Sequence, residues 1–90
     1  MNFEEKKEIL KAVDEEMLLA DGFEDALIGF IQIADNTVAL YDREKCKQIL
    51  LDKGMTDYKA EEYIAFNVTS FYRGEKTPAF AYFFEEEKKN

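Results

Sequence analysis

Apolar residues recur at helical spacing near the start of the chain. Ile9, Leu10, Val13, Met17 and Ala20 fall on one stripe, which predicts an amphipathic helix from Phe3 to Ala20. Asn2 stands at the N-cap position with Glu5 three residues on, the spacing of a capping box. Gly22 is the predicted stop. The period then shortens. Ala26 to Ile33 is rich in strand formers, Thr37 to Tyr41 returns, and Asp35-Asn36 between them tolerates the positive φ of a tight turn. The first of these strands is apolar on both alternating faces, with Leu27, Ile31 and Ile33 on one side and Ile28 and Phe30 on the other. That pattern predicts a central strand, or one covered on both sides by helices or a second subunit.

Asp42 is the predicted cap of a second helix, Arg43 to Lys53, with Cys46, Ile49 and Leu50 facing inward and Gly54 ending it. Thr56 caps a third helix, with Asp57 in its first turn. A 100° wheel puts Ala60, Tyr63, Ile64, Val68 and Phe71 on one face of that helix, and Asn67 falls in their midst. Arg73-Gly74-Glu75-Lys76 reads as an exit loop. Pro78 suits the start of a last strand, Ala79 to Phe84, and 85–90 reads as a frayed tail. The expected fold is one α+β domain over residues 1–90, in the order α-β-β-α-α-β, with a three-stranded antiparallel sheet packed by helices.

Composition narrows the picture. Ninety residues, 47% hydrophobic and including eight Phe and five Tyr, are enough for one core. One Cys and no His exclude an internal disulfide and make a zinc or transition-metal site improbable on chemistry alone. No signal peptide or membrane-length apolar run is evident, so a cytoplasmic setting is expected. The net charge is −8. Residues 1–25 hold nine acids against three lysines, so the acidity is expected on the first helix. Direct nucleic-acid binding is disfavoured, and a basic protein partner is compatible.

Candidate chemistry is sparse. An amide at Asn67 on an apolar face must be hydrogen-bonded or cost stability. It is read chiefly as a structural pin against strand or loop backbone, with a ligand contact as the alternative. Cys46 has no histidine to serve it as base and is read as buried and inert. Asp21-Gly22-Phe23-Glu24-Asp25 lacks the ligand spacing of a calcium loop and is read as a cap and turn. Glu4, Glu8, Glu15 and Glu16 form a candidate partner surface on the first helix, where carboxylates could imitate phosphates. The plain alternative is a solvated face. No cofactor, metal or catalytic constellation is expected.

An ordered series of short matches adds a resemblance. Ala26-Leu27-Ile28-Gly29, Tyr41-Asp42, Lys45-Cys46, Gly54-Met55, Ala60-Glu61-Glu62-Tyr63, Phe66-Asn67-Val68, Tyr72, Gly74 and Thr77-Pro78-Ala79-Phe80 together resemble a family of small uncharacterised bacteriophage and prophage proteins. The likeness covers about residues 23–80 and leaves the first helix outside. It implies a phage or prophage origin and a bacterial cytoplasm, and it supplies no activity. It also groups Tyr41, Asp42, Asn67, Gly74, Thr77 and Pro78 as a structural motif at one end of the sheet. The expected function is a non-enzymatic protein-binding module acting on a host or phage protein, with self-association possible. The alternatives are a nucleic-acid-mimicking inhibitor using the acidic first helix, and a small ligand- or nucleotide-binding module or enzyme at the Asn67 and Gly74 end.

Overall fold

The computed structural model describes residues 1–69 and 72–85, with no description of the Thr69 side chain. Its elements run α1 (Phe3–Val13), β1 (Leu27–Ile33), β2 (Asn36–Asp42), α2 (Arg43–Asp52), α3 (Asp57–Ile64) and β3 (Ala79–Ala81). A 3-10 turn at Glu24–Ala26 leads into β1, and a π-wound turn at Ala65–Thr69 continues α3. The α-β-β-α-α-β order of the sequence reading holds. Phe71 of the predicted helical face and residues 86–90 of the predicted tail lie outside the described residues.

The helix starts follow their caps. Asn2 Oδ1 accepts from Glu5 N at 2.9 Å while Glu5 Oε1 accepts from Asn2 N at 3.0 Å, completing the capping box. Asp42 Oδ1 accepts from Glu44 N and Lys45 N at the head of α2. Gly54, at φ 101°, supplies the left-handed step after α2.

The end of α1 departs from the pattern. The helix stops at Val13, seven residues before the predicted Ala20. Asp14 turns extended at φ −163° and ψ 108°, and its Oδ1 accepts from Glu16 N at 2.9 Å. A short side chain that bonds backbone two residues on competes with the helix ladder. Met17 is still buried, so the apolar stripe marks what packs inward but not how the chain is wound. Residues 14–23 form an irregular strap joining α1 to the sheet.

The sheet is mixed, and β2 lies at its centre. β1 pairs antiparallel with β2, and β3 pairs parallel with β2, opposing Leu40 to Ala79, Tyr41 to Phe80 and Asp42 to Ala81. The all-antiparallel expectation is therefore corrected. A chain that leaves β2 through two helices has crossed back to the start of the sheet, so its next strand runs parallel. β3 ends at Ala81, three residues short of Phe84.

β1 is an edge strand, not the central one expected. Ile28, Phe30 and Ile33 are each about half exposed. A bulge sets Ile28 without a partner between Leu27 and Gly29. The hairpin turn falls on Ala34-Asp35, one residue earlier than predicted. Ala34 takes the positive φ of 54°, and Asn36 pairs with Ile33 inside the strand.

One core serves the domain. Leu27, Ala39 and Tyr41 of the sheet meet Leu10 of α1, Cys46 and Leu50 of α2, and Ala60 and Ile64 of α3. Each large buried side chain here contributes about 1.5–3 kcal/mol of transfer free energy. Val38 is buried too but lies outside this cluster, opposite the half-buried Ile31.

Candidate functional site

Thr56 Oγ1 accepts from Lys59 N at 3.2 Å and opens α3, which buries Ala60 and Ile64. Beyond Ile64 the backbone winds as a π-helix. Its i→i+5 bonding takes more residues per turn than an α-helix, so a wheel drawn at 100° per residue loses register there. Asn67 is accordingly exposed, as is Phe66, and Val68 is half-buried; Tyr63 is exposed before the turn begins. The reading of Asn67 as a buried amide is thus overturned. Water reaches the side chain, and no desolvation cost attaches to it.

The exit loop is closed by its own polar groups. Thr77 Oγ1 donates to Gly74 O at 2.7 Å and accepts from Arg73 N at 2.7 Å, while Thr77 N donates to the same carbonyl at 3.1 Å. Gly74 takes φ 96°, which a side chain would strain. Lys76 then reaches the strap. Its ammonium pairs with the Asp14 carboxylate, and its carbonyl accepts from Leu18 N at 3.2 Å. The bond from Lys76 holds the Asp14 carboxyl below its ordinary range, and Asp14 in turn raises the Lys76 ammonium. Two residues further along the strap, Ala20 N donates to the Tyr41 hydroxyl at 2.8 Å. Tyr41 is wholly buried, which pushes its phenol up, and its ring stacks on Phe80 at 5.3 Å.

These contacts leave a groove of about 440 Å³ between strap, α3 and exit loop. Leu18, Ala20 and Asp21 wall it on the strap, Tyr63 and Asn67 on the helix, and Thr77-Pro78 on the loop. A second groove of about 470 Å³ follows α3 from Gly54 and Met55 to Phe66. Tyr63 and Asn67 line both, so the two meet at the π-wound turn.

Of the six residues grouped by the sequence, Asn67, Thr77 and Pro78 line one groove and Gly74 shapes the loop beside it. Tyr41 lies beneath, through Phe80, which also lines that groove. Asp42 is occupied in capping α2.

The acidic surface differs from the expected one. Glu4 and Glu8 are exposed on α1, but Glu15 and Glu16 lie on the strap beyond its end, so the four do not share a helix. Within α1 itself Glu4, Glu5 and Glu8 are balanced by Lys6, Lys7 and Lys11. The excess sits in residues 14–25, which carry six acids and no base.

A clasp between α2 and α3 went unread in the sequence. Arg43 is buried, forks onto Glu61 at 3.3 and 2.9 Å, and lies 4.9 Å from the Tyr82 ring centroid. Lys47 bridges Asp57 at 3.0 Å and Glu61 at 3.2 Å. The legible signal was Arg43 and Lys47 four apart on one helix facing Asp57 and Glu61 four apart on the next. Cys46 is fully buried beside the clasp, and burial pushes its thiol up to about 11. A thiol so protonated is a poor nucleophile at neutral pH.

Among the described residues no group of three or more potential ligands is placed to hold a metal, and no helix is long and apolar enough to cross a membrane. No protein-family model, curated protein or solved structure matches the chain.

Proposed function

We propose that this chain is a non-enzymatic protein-binding module of phage or prophage origin, acting on a host or phage protein in the bacterial cytoplasm. The observation that carries the proposal is the pair of grooves meeting at Tyr63 and Asn67, edged by exposed aromatic side chains. Tyr63 lines both grooves at 39% exposure, and Phe66, 72% exposed, lines the second. Aromatic side chains are enriched at the centres of protein interfaces, where they bury large area at low entropic cost. The phage and prophage setting rests on the resemblance alone.

Affinity capture from phage-infected host lysate tests it, with the native chain and a Tyr63→Ser/Phe66→Ser variant run side by side. The expected result is a protein retained by the native chain and lost by an equally stable variant. Identical retention by both overturns the assignment to these grooves.

A second reading is favoured by the mixed lining of the groove beside Asn67, where Asp21, Asn67, Arg73 and Thr77 stand among apolar neighbours. Such a crevice suits a small amphipathic ligand. A metabolite that raises the melting temperature and whose effect is abolished by Asn67→Leu would support it over the protein-binding reading.

A further inference from the structure

We infer that the groove between strap and exit loop receives a basic segment of the partner protein, one carrying an apolar side chain flanked by Lys or Arg. The inference rests on the chain being a protein-binding module and names the chemistry of what it binds. Two features of the groove converge on it.

The first is its lining. Leu18, Ala20, Phe23, Val68, Pro78 and Phe80 supply the apolar part of it. A volume of about 440 Å³ exceeds that of a single large side chain, so an anchor residue and part of its backbone fit.

The second is the charge of the segment that walls it on one side. The strap and the turn after it present Glu15, Glu16, Asp21, Glu24 and Asp25 without a single intervening base. Asp14, the sixth acid, is neutralised by Lys76, but these five form no ion pair among the described residues. Glu15, Glu16, Asp21 and Asp25 are exposed, and Asp21 lines the groove itself. The opposite wall carries one cation, Arg73, beside the Thr77 hydroxyl. An approaching segment therefore meets a groove of mixed lining, with the Asp21 carboxylate on its strap wall and four more unpaired carboxylates on the residues that flank that wall in the chain. Electrostatic complementarity of this kind selects partners and accelerates encounter. An acidic segment would be repelled by the strap, and an uncharged one would leave those carboxylates unused.

The irregular backbone of the strap is what makes the arrangement possible. Had α1 continued to Ala20, the carboxylates would spread around a helical surface. The turn at Asp14 instead leads into an irregular segment whose Leu18 to Asp21 lie along the groove.

The test is selection from a random dodecapeptide phage-display library on the full chain, followed by nuclear magnetic resonance titration with the best peptide. The expected peptides are enriched in Lys or Arg around one Leu, Phe or Tyr. Their shifts centre on Leu18 to Phe23, Asn67 and Thr77. The Glu15→Gln/Glu16→Gln/Asp21→Asn variant, nearly isosteric at exposed positions, should bind about tenfold or more weaker with an unchanged melting temperature, since each exposed pair is worth roughly a two- to fivefold change. Added salt should weaken the native complex and leave the variant nearly unaffected. Peptides without basic enrichment, or shifts centred on Phe66 and Met55, overturn the inference and leave the module reading standing. No selected peptide and no captured lysate protein would defeat both.

Discussion

The clasp between α2 and α3 and the strap between α1 and β1 both depend on ion pairs, yet they hold the molecule together in different ways. The clasp is redundant: two cations and two carboxylates share three contacts, and one member, Arg43, is buried. Beneath it Cys46, Leu50, Ala60 and Ile64 fill the core. The strap relies on single contacts that reach far along the chain. Ala20 is tied to Tyr41 across 21 residues, and Asp14 to Lys76 across 62. The clasp joins residues 10 to 18 apart, whereas the strap's two ties span 21 and 62 residues. The first groove opens beside the strap, whereas the second runs along α3 from the α2–α3 junction.

Substitution at Tyr41 separates the two regions most sharply. Tyr41→Ala removes a buried ring and should cost about 3–5 kcal/mol in urea unfolding. Tyr41→Phe keeps the ring and deletes only the acceptor of Ala20 N, at about 1–2 kcal/mol. Its signature is local: amide exchange should quicken along the strap and stay unchanged in α2. Equal quickening in both would show that strap and core open together.

The clasp comes next in size. Glu61→Ala leaves the buried Arg43 guanidinium without its fork and should cost about 1–3 kcal/mol. That is less than a fully buried pair would lose, because the Glu61 side chain is 40% exposed. No loss on thermal unfolding would show that the Tyr82 ring and the surrounding packing suffice to keep Arg43 in place.

Acid should loosen both regions. Arg43, then Lys47, hold Glu61 below its ordinary value of 4.5, and Lys76 holds Asp14 below 3.8. Carboxyls depressed in the folded state stabilise it fully above those ordinary values and lose that contribution as the pH falls through the depressed ones. Melting temperature should therefore be flat near neutrality and fall as the pH drops below about 4.5. Asp14→Asn should flatten part of that fall without moving the plateau far. An acid limb identical in the variant would remove Asp14 from the account.

The smallest effect is expected at Asn67. Asn67→Leu should change stability by no more than about 0.5 kcal/mol, as for other exposed positions. A loss above about 1 kcal/mol would restore a bonded amide.

Much of the fold was legible because its signals are local. Asn2 with Glu5, Asp42, Thr56 and Gly54 act on backbone within three residues, and each does what its chemistry implies. The misses share a cause. Asp14 ends α1 through a local turn reinforced by Lys76, a partner that no window around residue 14 contains. The direction of β3 depends on the path through two helices, which the alternation of Phe80 and Tyr82 does not encode. A uniform 100° wheel turns Asn67 inward, and the π-wound turn carries it outward. There it lines one groove with Thr77 and Pro78.

The edge strand β1 has a consequence for how the protein behaves as a colloid. Leu27–Ile33 contains neither charge nor proline, the usual guards of an open edge. The bulge at Ile28 and the Lys6 ammonium, which donates to Leu27 O at 2.7 Å, interrupt its offer of backbone to another chain at one end. Dispersion of the molecules then depends on mutual repulsion, which vanishes near the isoelectric point of about 4.5. Concentrated solutions should stay clear at neutral pH and turn turbid on acidification. A lysine placed at Gln32, at the exposed rim of that strand, should keep them clear.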